Sequence, residues 1–289
     1  MKTWTTVLFC LFLSGLAYGQ EDLLALLGEE EETTDYATAA FKTNRVINIH
    51  SLQSTSHGVL DIKISHRFGM LNQGAYDLFG LDNASIRIGG DYGITNRLTI
   101  GAGRSSYQKT YDGFVKYKFL RQSSGKREMP VTAAFFASTA IQTLRFADPD
   151  RENYFSSRVY YSFQLIFGRK FSDNFSLQLS PTLVHRNLIK FKIESNDVYA
   201  LGIGGRIKLN KRTSLNMEYI YLLPGQLLPG YRNSLSIGFD IETGGHVFQL
   251  HFTNSTSMIE KGFVTETTGK WSEGGVHFGF NVSRVFTVK

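Results

Sequence analysis

Cysteine is all but missing from the sequence: Cys10 is the single one, and it falls inside a stretch that reads as a cleaved export signal. The mature chain therefore has no thiol from which to build a disulfide framework. In that signal Lys2 forms the positive start, Val7 to Leu13 the apolar core, and Ala17 and Gly19 the small residues of a cleavage site, which predicts a mature start at Gln20. Phe9 before the cysteine is not the small residue a lipidated signal carries. Long apolar runs are absent too. Nothing beyond residue 19 approaches the roughly 18 consecutive apolar residues of a membrane-crossing helix, so an exported chain of this kind enters a membrane only as a closed β-barrel.

Proline is scarce, at 5 residues, and the formal charge of +6 is spread without a basic cluster. The scattered charge makes nucleic acid a poor partner. His50, His57 and His66 have no ligand spacing, so no metal is predicted from them; no cofactor is expected either. Gly202-x-Gly204-Gly205 sits inside a strand pattern with no helix after it, which excludes a nucleotide loop and points to close packing or barrel curvature.

What the chain has is glycine, at 28 residues, and aromatics, at 13%. Disorder lacks aromatics, whereas glycine-kinked strands use both. Residues 231–254 set the pattern. Leu235, Ile237, Phe239 and Ile241 alternate with Ser234, Ser236, Gly238 and Asp240, and after Gly244-Gly245 the alternation resumes with Phe248, Leu250 and Phe252 against Gln249 and His251. Period 2 around a Gly-Gly pair is a β-hairpin. The same alternation predicts twelve strands, over 58–67, 83–92, 97–107, 111–121, 129–144, 155–170, 174–188, 196–209, 213–223, 232–243, 245–254 and 274–287. Runs of 10 to 16 residues exceed the roughly 9 to 11 that cross a bilayer. Short links near residues 93–96, 172–174, 210–212 and 244–245 alternate with longer ones, as in an up-and-down transmembrane barrel with short periplasmic turns and long external loops. Two links break the rule: 108–110 is short and 122–128 is long.

Apolar and aromatic residues make up one face of these strands, among them Leu60, Ile62, Ile64, Val159, Tyr161, Phe163, Leu165, Phe167, Met217 and Tyr221. On the other lie Asp61, Lys63, Arg67, Arg87, Asp91, Asp112, Lys116, Lys118, Arg158, Gln164, Gln178, Arg206, Lys208, Glu218, Asp240, Gln249 and His251. A cation on the lipid face at mid-bilayer costs about 2 to 4 kcal/mol, so this row is expected to line a lumen. It holds eight basic and five acidic side chains. Cross-paired, they would fill a narrow interior with salt bridges; unpaired, they would leave a small passage that weakly attracts anions.

The expected organisation is thus an export signal (1–19), an acidic leader and periplasmic tether or lumen plug (20–57), and a barrel (58–289). Leu23, Leu24, Leu26 and Leu27 before Gly28 fit two helical turns or a frayed leader equally. The expected function is passage of small solutes, with a non-conducting anchor, whose residues 20–57 bind a periplasmic protein, as the alternative. No His-x-Ser pair marks a lipolytic site. His251 precedes Thr253 by two, but both point inward. Asp148, Asp150, His185 and Asp197 fall near the external rim, where a protease would keep them or Asp148-Pro149-Asp150 would hold calcium, and solvated loop charges explain them more simply. No enzyme is expected.

Several stretches are also familiar as sequence: residues 41–48 (FKTNRVIN), 65–69 (SHRFG), 103–106 (GRSS), 109–113 (KTYDG), 181–188 (PTLVHRNL) and 244–255 (GGHVFQLHFTNS). Together they resemble an uncharacterised outer-membrane β-barrel family of Bacteroidota, a domain of unknown function, over nearly the whole mature chain. The resemblance implies a barrel in the outer membrane and brings no activity, substrate or catalytic residue with it.

Overall fold

A computed structural model describes residues 33–146, 148–189 and 191–288. The export signal, the start at Gln20 and the leucine-rich turns before Gly28 lie outside the described residues. Twelve strands pair antiparallel, each with its neighbours in sequence, and the last pairs with the first to close a barrel. They are β1 (Val59–Met70), β2 (Ala84–Gly93), β3 (Leu98–Ser105), β4 (Thr110–Leu120), β5 (Thr132–Gln142), β6 (Val159–Lys170), β7 (Phe175–Arg186), β8 (Asp197–Lys208), β9 (Thr213–Leu222), β10 (Ser234–Thr243), β11 (His246–Thr253) and β12 (His277–Thr287). Among the described residues no helix is long and apolar enough to cross a membrane.

Alternation fixes the register. Leu215 stands opposite Phe239, Phe239 opposite Leu250 and Leu250 opposite Phe280, so one apolar row runs across β9 to β12. A slip of one residue would turn Asp240 and Gln249 outward, which is why the pairing is strongly specified. In β6, Tyr161, Phe163 and Leu165 are 40 to 41% exposed while Gln164 and Ile166 are buried. The strands are 8 to 12 residues long; most are shorter than the alternation predicts, whereas β1 runs on past residue 67 to Met70. The pattern of 155–170 runs back through a 3-10 turn at Phe155–Arg158, because side-chain periodicity does not mark where ladder hydrogen bonds stop.

Gly244 and Gly245 form the β10–β11 turn at φ +41° and +97°, conformations open to glycine. The two exceptional links have structural causes. Residues 121–131, at the short-turn end, carry Ser123–Gly125, which pairs antiparallel with Thr34–Tyr36. At the loop end, residues 106–109 turn tightly with Gln108 and Lys109 at φ +54° and +48°.

The barrel is filled. Residues 41–56 fold back on themselves inside it: Arg45 bridges His50, Val46 N–H donates to the Ile49 carbonyl at 2.9 Å, and Ser51 N–H donates to that of Asn44 at 2.9 Å. The feet of this hairpin are at the short-turn end, where Lys42 pairs with Glu242 and Gly58 N–H donates to Gly93 at 2.9 Å. From the opposite end the link 254–276 folds inward, and its helix α1 (Glu260–Thr265) is buried at every residue. Phe41, Val46, Ile49 and Leu52 of the hairpin pack with Phe263 and Val264 of α1 and with Phe114, Phe136, Ile166, Val184 and Ile220 of the wall. Each such side chain contributes about 1.5 to 3 kcal/mol by leaving water. The inward row of β4 to β9 is therefore partly apolar, which the polar row read from sequence does not convey.

Candidate functional site

The hairpin is seated chiefly by wall side chains that bond its backbone. Glu218 on β9 is the main one: one carboxylate oxygen accepts the N–H groups of Ile47, Asn48 and Ile49 at 3.1, 2.8 and 3.1 Å, and the other accepts Asn48 Nδ2 at 2.6 Å. Backbone donors converging on one carboxylate form charge-assisted bonds about twice as strong as neutral ones. Gln178 accepts from Leu52 N–H at 3.0 Å and donates to the His50 carbonyl at 2.8 Å. Gln249 donates to the Val46 carbonyl at 2.5 Å, Lys116 to those of Ser51 and Gln53, and Arg206 to that of Ala39 at 2.7 Å. Buried backbone groups require such partners. Glycines make the space: a Cβ on Gly204 would lie 3.0 Å from Val46 Cγ2, and one on Gly168 2.6 Å from Leu52 Cδ1.

Hairpin and α1 meet near the middle. Arg45 donates to Glu260 at 3.0 Å and to the Asn48 carbonyl at 2.8 Å, while Arg67 ties both fillings to β1 through the Ser255 carbonyl at 2.7 Å and Asn48 Oδ1 at 2.9 Å. His50 lies 3.7 Å from Glu260 with its ring against Phe114 and Phe136. Burial, helped by Arg45 and Lys116, pushes this imidazole well below its ordinary pKa, so the contact is not an ion pair. Burial raises the Glu260 carboxyl, and Arg45 opposes the rise.

Ion pairs between inward side chains of the wall strands are few among the described residues. Arg87 pairs with Asp112, and Lys63 lies 3.8 Å from Asp61 and 3.9 Å from Asp91. Among the described residues a cavity opens at each mouth: about 580 Å³ at the loop end, bordered by Arg145, Arg158 and Arg186, and about 360 Å³ at the short-turn end, beside the hairpin feet, Asp61 and Ser283. The hairpin tip and α1 stand between them.

A sequence profile described as a membrane-bound β-barrel domain, DUF5777, matches residues 41–286. The chain belongs to that family. Among solved structures, the NanC porin in a rhombohedral crystal form is similar to it at TM-score 0.48 and 7% identity, over 80% of this chain and 99% of that one. An outer membrane channel from Pseudomonas putida F1 gives 0.45 and 12%, over 82% and 98%, and Omp33 of Acinetobacter baumannii 0.40 and 10%, over 78% and 97%. No curated protein matches the chain in sequence.

In this DUF5777 barrel, Asp61, Lys63, Arg87, Lys116, Gln164, Gln178, Arg206, Glu218, Asp240, Gln249 and His251 are all buried. Lys118, Arg158 and Lys208 are half-buried and nearer the strand ends. Five of these side chains, Lys116, Gln178, Arg206, Glu218 and Gln249, hold the hairpin. His185 and Asp197 bond each other at 2.6 Å on the outward face of β7 and β8, away from the inward Arg186. Asp148 accepts the N–H of Asp150 at 3.2 Å in a local turn. No group of three His, Cys, Asp or Glu side chains that could hold a metal forms among the described residues. Arg45, Asn48 and Glu260 were not legible as site residues. The mixed polar and apolar residues 43–50 are the one signal for Arg45 and Asn48, and that pattern fits a surface tether equally.

Proposed function

We propose that the protein is a narrow, porin-like channel of the outer membrane, closed in the conformation described, that passes small solutes once residues 41–56 leave their seat. The observation that carries this reading is the pair of cavities at opposite mouths, separated by a hairpin that enters from the short-turn end and is bonded largely through its backbone. A segment held this way can be exchanged for water by the same wall side chains, since each bond given up is replaced by one to solvent. Three arginines border the outer mouth, which favours anions there. The role is transport and not catalysis.

The apolar cluster shared by the hairpin, α1 and the wall favours a second reading, a permanently sealed anchor. In that role the strand pair Thr34–Tyr36 with Ser123–Gly125, at the short-turn end, would present residues 20–57 to a periplasmic protein. Planar-bilayer recordings separate the two. The channel reading expects rare openings of the whole mature chain and sustained conductance after removal of residues 20–57. A deleted barrel that stays silent while running folded on an unboiled gel sinks it. Sequencing the N-terminus of protein taken from outer membranes tests both the location and the start at Gln20.

A further inference from the structure

We propose that the loop-end cavity is a binding site for a small organic carboxylate whose body carries hydrogen-bonding groups. The site deepens the channel reading and would be the first station on that route. Its volume, about 580 Å³, lies in the range of small-molecule pockets.

Arg158 is the anchor. Its Nη1 donates to the carbonyls of Gln142 at 3.1 Å and Leu144 at 2.5 Å, and its guanidinium carbon lies 3.5 Å from the centre of the Phe146 ring. These contacts fix the plane of the group and use both hydrogens of one nitrogen. Its Nε and Nη2 have no protein partner among the described residues, and neither does the whole group have a carboxylate. A guanidinium held rigid with one edge free presents two parallel donors, the geometry that takes a carboxylate in bidentate fashion. Holding the arginine in advance also removes much of the side-chain entropy that binding otherwise costs.

A second arginine points the same way. Arg186 is buried, donates to the Ser195 carbonyl at 2.6 Å and reaches Glu194 only at 3.4 Å, and its Nε is unsatisfied among the described residues. Of the two acidic side chains on the cavity wall, Glu194 takes this contact and Glu266 is paired with Lys261. Arg145, exposed at the rim, makes no ion pair among the described residues. The cavity thus keeps surplus positive charge. Tyr160, whose hydroxyl donates to Gln142 at 3.2 Å, Tyr231 and Thr256 supply partners for the uncharged part of a ligand.

The test is calorimetric titration of the full mature chain in detergent with gluconate, and with glucitol as the same skeleton lacking the carboxylate. Gluconate is expected to bind and glucitol to give no heat. Arg158→Gln should weaken gluconate about tenfold or more, as loss of a charged hydrogen-bond pair does, and Arg158→Lys, which keeps the charge without the fork, should fall between. Arg145→Gln, a rim change that breaks no internal contact, should weaken it two- to threefold and lessen its salt dependence. Equal heats from gluconate and glucitol, or an Arg158→Gln protein that binds as the parent does, overturns the site. The channel reading fails separately: gluconate binding to a barrel that never conducts keeps the site and removes the route, whereas a conducting barrel without gluconate binding does the reverse.

Discussion

Two pieces of chain fill this barrel, and they are fastened differently. The link 254–276 is anchored at both roots, because β11 precedes it and β12 follows it. Asn254 donates to the carbonyls of Asn233 and Gly269, both at 2.9 Å, and Arg232 N–H donates to that of Thr267 at 2.8 Å. The hairpin 41–56 is continuous with the wall only where it enters β1. Its other foot depends on Lys42, on Arg206 and on the short strand pair at Thr34–Tyr36. What the difference teaches is which filling can leave. Withdrawing the loop would tear the wall between β11 and β12, whereas withdrawing the hairpin exchanges its bonds for water and leaves twelve paired strands in place.

Removing residues 20–57 is the largest test of that asymmetry. The deleted barrel is expected to keep its compact migration on unboiled gels, since no ladder bond of the twelve strands involves these residues, and to change from silent to steadily conducting. Removing α1 by shortening 254–276 is expected to reduce the yield of folded barrel instead. Equal tolerance of both deletions would dissolve the comparison.

Next in size is the junction between the two fillings. Arg45→Ala leaves Glu260 buried without its partner, at a cost of about 3 kcal/mol in the seating of the hairpin. Protease cleavage within residues 41–56, measured from the short-turn side, reads that loss. The Glu260 carboxyl is already raised by burial, and losing Arg45 raises it further. A group whose folded pKa is raised destabilises as pH climbs, so the deficit should shrink as pH falls and the carboxyl takes up a proton. The double variant Arg45→Ala with Glu260→Ala should cost less than either single change implies, because it leaves no lone charge.

Glu218→Gln comes third. The side chain keeps its shape, but its amide turns one former acceptor into a donor facing the N–H groups of the hairpin tip. About 2 kcal/mol of seating should be lost, seen as earlier thermal release of the hairpin with the unfolding temperature of the barrel unchanged. If barrel and hairpin melt together in this variant as in the parent, the hairpin is an integral part of the wall's core and the anchor reading gains.

Which of these features the sequence discloses follows from where the information sits. The barrel is legible because lipid on one side and a filled interior on the other impose period 2 on side chains, as Leu215 to Tyr221 and Phe248 to Phe252 display. The inward position of Glu218 and Gln178 is legible for the same reason. Their task is not, since a carboxylate that receives three backbone N–H groups looks in sequence like one that faces water. The hairpin is bonded through main-chain groups, which every residue carries, and α1 spans only six residues, Glu260–Thr265, too few for a helical period to emerge. Arg158 stands out only once its carbonyl partners, Gln142 at the end of β5 and Leu144 in the link after it, are brought beside it.

The smallest expected effect is also the most selective. Gly204 faces Val46 Cγ2, Gln178 Cγ and Ile49 Cδ1, and an added methyl would come within 3.0, 3.1 and 3.3 Å of them. Two of the three atoms belong to the hairpin, and Gln178 is flexible once the hairpin is gone. Gly204→Ala should therefore cost about 1 kcal/mol through overpacking in the whole protein and close to nothing in the barrel lacking residues 20–57. Thermal unfolding of the two backgrounds with and without the substitution measures this coupling directly. An equal penalty in both would mean that the glycine serves the β8 backbone itself, and that the space inside the barrel was not shaped around the hairpin.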